Sequence, residues 1–119
     1  MANLVNKRNL MNTPVALQDI PVRNTVAGHF GRFVHGERST LAFWEITADS
    51  ISPMHQHPHE QITYIVSGTF EMELDGIRHL LHPGDTLVIP PNTVHGGKAI
   101  TDVQIIDSFC PVREDYLYK

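Results

Sequence analysis

From about Arg32 onward, apolar and polar residues alternate along the chain with a period of two. In Thr69–Leu74 the apolar Phe70, Met72 and Leu74 alternate with Thr69, Glu71 and Glu73, which is the pattern of a strand with one buried face. Asp75-Gly76 supplies the residues that a two-residue hairpin turn needs at positive φ, so Ile77–Leu81 is expected to return as the partner strand. Pro83-Gly84-Asp85 turns the chain again, Thr86–Ile89 reads as a buried β-branched run, and Pro90-Pro91-Asn92 ends it. Thr40–Ile46, Gln61–Ser67 and Val103–Phe109 are further predicted strands. Many short strands between turn signals, with no convincing amphipathic helix, predict an all-β barrel or sandwich.

Residues 1–27 carry little regular pattern, and Pro14 and Pro21 argue against a continuous helix there. We read them as an N-terminal arm that is either loose or laid along a partner's sheet. Residues 28–119 then form one domain, since 119 residues that are 41% hydrophobic suffice for one core. No apolar run approaches the roughly 18 residues needed to span a bilayer. The charged N-terminus lacks a signal peptide's apolar stretch, and the single Cys110 has no internal disulfide partner. A cytoplasmic protein is expected. Nine basic against thirteen acidic residues give a net charge of −4. With no helix-turn-helix pattern either, nucleic acid is not an expected partner.

Eight histidines change the picture, because imidazole is a common ligand of the middle-series metals. Met54–Gln61 reads MHQHPHEQ. In an extended strand His55 and His57 share a face, so both can reach one ion. The chain must turn or bulge after Pro58, and Gln61 begins the strand that follows. His95 comes after Pro90-Pro91-Asn92-Thr93-Val94, at the mouth of the next hairpin. His59 and Glu60 fit a shared site less well.

These residues resemble the two motifs of the cupins. His55, His57, Gln61 and Gly68 match the first, and Gly84, Pro90 and His95 match the second. The resemblance implies a single small cupin, a double-stranded β-helix closed into a conical jelly-roll barrel. It also implies one divalent transition metal on His55, His57, Gln61 and His95. Asp49, Asn92 and Ala99 depart from the motifs, at positions read as turns that tolerate unusual φ. Glutamine in place of the usual glutamate leaves the ion its full charge. That favours Lewis-acid work over oxygenase chemistry, while Mn, Fe, Co, Ni and Zn all remain open.

The C-terminal IIDSFCPVREDYLYK adds a second signal. On a strand Asp107 and Phe109 share one face, and Arg113, two residues after Pro111, can fold back over a barrel mouth. If that face is the inner one, a carboxylate and an aromatic ring line the metal cavity with a guanidinium at its edge. Such a set suits an anionic, sugar-like ligand. The alternatives are that Phe109 is plain core, that Arg113 pairs with Glu114 or Asp115 at the surface, and that Asp107 caps a turn. HPHEQITY and D-x-F-x-PVRED-[FY]-L resemble the KdgF family of pectin-degradation proteins. That resemblance implies conversion of 4,5-unsaturated uronate monomers to the linear ketone, with Asp107, Phe109 and Arg113 catalytic. By analogy with small cupins, a homodimer is expected. The rival functions are a non-catalytic module binding a metal and a small acid, and an iron-dependent oxygenase.

Overall fold

The structure, a computed structural model, describes residues 13–117. In chain order the strands are β1 Arg23–Asn24, β2 His29–His35, β3 Thr40–Ile46, β4 Ile51–His55 and β5 Glu60–Ser67. They continue with β6 Phe70–Leu74, β7 Ile77–Leu81, β8 Thr86–Ile89, β9 His95–Ala99 and β10 Val103–Cys110. Two 3-10 turns, Leu17–Asp19 and Glu114–Tyr116, complete the regular elements. Among the described residues no helix is long and apolar enough to cross a membrane.

The strands form two facing antiparallel sheets, ordered β1-β2-β3-β10-β5-β8 and β4-β9-β6-β7. Register builds the interior of the larger sheet in rungs. One rung runs Phe33, Ala42, Asp107, Thr63, Leu87 across five strands. On one side of it lies His35, Thr40, Phe109, Gln61, Ile89, and on the other Gly31, Trp44, Ile105, Ile65. Because strand side chains alternate faces, each rung points its whole set inward. The innermost positions of the third rung join Ile46, Phe70, Met72 and Val103 in the apolar core.

The predicted strands Thr40–Ile46 and Ile77–Leu81 occur with those bounds. The turn between β6 and β7 has positive φ at both Asp75 (50°) and Gly76 (81°), as a primed hairpin turn demands. Asp49 and Asn92 also take positive φ, 70° and 58°, which carboxylate and carboxamide side chains tolerate better than other residues with a Cβ.

Three expectations need correction. Thr86–Ile89 is not a buried run: it is an edge strand with Thr86 and Val88 exposed, and only Ile89 fully enclosed. Ala99 is not a turn residue but the buried end of β9, paired with Phe70. The strands β1, β2, β4 and β9 went unpredicted as strands. In β9 the sequence His-Gly-Gly-Lys-Ala lacks alternation because a Cβ on Gly97 would sit 2.1 Å from the Glu71 carbonyl oxygen.

Of the N-terminal arm, residues 1–12 lie outside the described residues. The remainder rests on its own barrel: β1 pairs with β2, Ile20 is buried, and Arg32 Nη1 donates to the Leu17 and Ile20 carbonyls at 3.0 and 2.8 Å.

Candidate metal centre and its cavity

Two strands and a turn deliver the histidines. β4 ends on His55, β9 opens on His95 directly opposite it, and a register shift between Ser52 and His55 marks a bulge. His57 lies beyond the strand, in the turn to β5, rather than on a continued extended strand as its spacing suggested. The convergence holds nonetheless. One ligand atom from each of His55, His57 and His95 lies within 4.8 Å of the others. Gln61, buried on the first inward position of β5, places Oε1 3.1 Å from His57 Nε2.

Each imidazole is oriented by a backbone carbonyl. Nδ1 of His55 lies 2.7 Å from the Pro53 oxygen, that of His57 3.1 Å from His59, and that of His95 2.8 Å from Thr93. These contacts place the proton on Nδ1 and leave the Nε2 lone pairs free for a ligand. The His95 Nε2 is buried with no hydrogen-bond partner, which is the state of a group that awaits a cation.

The His57–Gln61 contact makes a sharper test of fit. Gln61 Nε2 donates to Thr63 Oγ1 at 3.0 Å, so its oxygen faces His57. In this arrangement both nitrogens of His57 look at oxygen acceptors, which an imidazolium or a bound cation satisfies. Burial, reinforced by Arg113 and His95, pushes the His57 pKa down to about 4, removing the imidazolium at neutral pH. Burial also lowers the His95 pKa. Neutral imidazoles and a carboxamide oxygen are a donor set that a divalent transition ion suits.

The amide links this cluster to Asp107. Gln61 donates to Thr63, and the Thr63 hydroxyl donates to Asp107 Oδ1 at 2.7 Å. Asp107 faces inward from β10 with its side chain enclosed, and this desolvation raises its pKa to about 6 despite the Thr63, Gln61 and Trp44 contacts that favour the charged form. It does not cap a turn.

Phe109 is both core and wall: it belongs to the apolar cluster, and its ring packs edge-on to His57 at 5.7 Å. Arg113 is 7% exposed and not a surface group. Its guanidinium lies 4.6 Å from the Phe109 ring centroid and 4.3 Å from that of Tyr116. Asp115 holds it from Nε and Nη2 at 3.0 and 2.7 Å. Burial is the largest single influence and opposes the charge, but the Asp115 bonds together with the nearby Tyr116, Asp115 and Asp107 outweigh it, and the Arg113 pKa is raised.

His55, Gln61, Thr63, His95, Asp107, Phe109 and Arg113 face one cavity of about 710 Å³, which reaches on to Arg23, His29 and Tyr116, while His57 and Asp115 line a neighbouring pocket that shares His55 and Arg113. The far side of the first cavity lies between the free edges of the two sheets, where His29 Nε2 accepts from the Ser52 hydroxyl at 2.6 Å. Thr63, Trp44, Arg23, His29 and Tyr116 were not singled out from sequence. Thr63 was within reach, being two residues from Gln61 on one strand face. Arg23 had no signal, because β1 is only two residues long.

Comparison with known proteins agrees with this architecture. The Cupin domain family matches residues 42–109. The pectin degradation protein KdgF of Dickeya dadantii (strain 3937) is 34% identical over 70 residues, which cover 57% of this chain and 64% of that protein. The match thus spans less than two thirds of that relative. The structure of KdgF from Halomonas sp. aligns with a TM-score of 0.79 and 33% identity, over 84% of this chain and 94% of the other. An RmlC-like cupin from Shewanella frigidimarina NCIMB 400 aligns with a TM-score of 0.83 and 25% identity, over 87% and 95%. With a matched segment that runs from β3 to β10 and takes in both histidine stretches, the chain belongs to the cupin family.

Proposed function

We propose that this cupin opens 4,5-unsaturated uronate monomers to the linear ketone, using a divalent transition metal. The observation that carries this reading is the hydrogen-bonded line from His57 of the candidate metal cluster through Gln61 and Thr63 to the buried Asp107, with His55, His95, Gln61, Thr63 and Asp107 on one cavity. Similarity to the two KdgF proteins supports the substrate class.

The unsaturated uronate is a cyclic hemiacetal whose ring oxygen also belongs to an enol ether. With a carboxyl pKa of about 6, Asp107 is ionised at neutral pH and close enough to neutrality to exchange a proton in both directions. It accepts the C1 hydroxyl proton, the C1–ring-oxygen bond breaks, and the freed oxygen carries the negative charge of an enolate. Asp107 then returns the proton to C4, and the ketone forms at C5. Atoms balance without an oxidant. A divalent ion on His55, His57, Gln61 and His95 supplies a Lewis acid for negative charge on a substrate oxygen. Phe109 carries Arg113 on its face, and Arg113 adds positive potential to the cavity.

The test follows the ultraviolet absorbance of a 4,5-unsaturated galacturonate monomer with metal-loaded protein, chelated protein and buffer, the product being checked by NMR. Metal-dependent acceleration to the ketone is expected. No acceleration with this substrate or its alginate counterpart overturns the reading, and uptake of oxygen with iron would favour the oxygenase.

We also propose a homodimer through the outer face of the six-stranded sheet. Val34, Leu41, Ile62, Tyr64 and Val88 are each 40% or more exposed there, an apolar patch of a kind that commonly marks an interface. Light scattering at the mass of a single chain would reject it.

A further inference from the structure

Resting on the uronate reading, the division of cations in the cavity points to a residue that the sequence motifs do not single out. We propose that Arg23, and not Arg113, is the group that binds the substrate carboxylate and selects acidic over neutral sugars.

Arg113 is largely committed. Two of its three nitrogens are engaged by Asp115, and a carboxylate already held in that bidentate way leaves little of the fork for a second one. Arg23 lines the same cavity, beside the Tyr116 ring that Arg113 also contacts. Its Nη1 donates to the Tyr116 carbonyl oxygen, and among the described residues no carboxylate forms an ion pair with it. A guanidinium stays charged at any ordinary pH, so Arg23 brings a positive charge to the cavity with Nε and Nη2 available.

The side chain is also held in place. Its guanidinium lies over the Phe33 ring at 5.0 Å and the Tyr116 ring at 5.8 Å, and those two rings stack on each other at 4.4 Å. Tyr116 thus stands between two guanidiniums, one paired and one not. Stacking of this kind fixes the plane of the fork before a ligand arrives, which lowers the ordering cost of a bidentate contact. The same contacts give the last part of the N-terminal arm a purpose, since β1 serves to carry Arg23 to the rim.

The test compares the metal-loaded wild type with Arg23→Gln, Arg23→Lys and Arg23→Met. The last keeps an unbranched side chain over Phe33 and Tyr116 and guards against a folding defect. Binding of galacturonate, a non-reactive saturated uronate, and of galactose, its neutral counterpart, is measured by NMR titration, alongside KM and kcat on the unsaturated monomer. We expect Arg23→Gln and Arg23→Met to weaken galacturonate binding and raise KM by about tenfold or more, with galactose binding and kcat little changed. Arg23→Lys should recover part of the loss. Unaltered galacturonate affinity in folded Arg23→Gln overturns the assignment while leaving the ring-opening reading intact. Wild type that binds galacturonate through Arg23 but turns nothing over does the reverse. Wild type that shows neither property overturns both.

Discussion

The two ends of the barrel interior are built on one register but from opposite chemistry. At one end Trp44, Ile65, Phe70, Val103 and Ile105 make an apolar core, whose Trp44, Phe70 and Ile105 also form the apolar part of the cavity wall. At the other, only a rung away, Thr63 and Asp107 occupy inward positions that Ile65 and Ile105 fill next door. The outer face of β5 inverts the usual pattern, with Ile62, Tyr64 and Val66 exposed while Gln61 and Thr63 are buried. The apolar end supplies the rigidity that holds the polar end in a shape its own side chains would not choose. Burying Asp107 costs stability, and a fold tolerates such a cost where a packed core offsets it.

This contrast can be tested from the polar end inward. His95→Ala should lose more metal affinity than the 10–100-fold typical of removing an outer hydrogen-bond partner, with turnover falling alongside. Elemental analysis after gel filtration checks this, and retention of a full metal equivalent would remove His95 from the cluster. Asp107→Asn should lower turnover by about 10²–10⁴-fold with metal content unchanged. Loss of metal together with activity would make Asp107 structural.

Asp107→Asn also carries a stability signature. The carboxyl has its pKa raised to about 6 in the fold from an ordinary 3.8, so the folded state holds the proton more tightly. The stability this proton gives is fully present below about pH 3.8 and is lost as pH rises through about 6. The neutral amide escapes that loss. In urea titrations of chelated protein the variant should therefore be more stable than wild type at pH 7, by up to about 3 kcal/mol. The gain should vanish near pH 4, and an equal gain at both pH values would point to packing rather than charge.

At the apolar end, Ile65→Ala should cost about 2–5 kcal/mol of unfolding free energy, because Ile65 is fully buried and its neighbours cannot collapse onto the void. Metal stoichiometry should remain native. A metal-depleted variant would show that the two ends are not separable. The smallest effect is expected from Thr63→Val, which removes the hydroxyl donor to Asp107 at a cost of about 1 kcal/mol. Since that bond favours the carboxylate, the acidic limb of the rate–pH profile should move upward. A downward move would mean that Asp107 draws its charge stabilisation from elsewhere.

The same contrast explains what the sequence disclosed. Strands with one apolar face turned to the apolar core, such as β3 and β6, were legible from alternation alone. β2 was not, because its inward positions are His29, Gly31, Phe33 and His35 while Phe30 and Val34 point outward. Hydrophobicity marks the inside only where the inside is dry. The cluster of His55, His57 and His95, with Gln61 beside it, could be found because metal chemistry restricts both residue type and spacing. Asp107 could be placed only conditionally, since nothing in IIDSFC tells which face of β10 looks inward. Arg23 was invisible: its proposed role depends on a pairing at Asp115, 92 positions away, that gives one guanidinium a carboxylate partner and leaves the other without one among the described residues.

Trp44 is the single tryptophan of the chain, and it lies on the cavity wall 5.3 Å from Phe33 and 6.3 Å from Tyr116, ring centre to ring centre. The molecule therefore carries its own optical probe at the one place where occupancy matters. Indole emission reads the polarity and rigidity of its surroundings, so a ligand that displaces water from the cavity registers as a change in intensity and colour without any label. A simple fluorescence titration can therefore report candidate cavity ligands before any reaction is assayed.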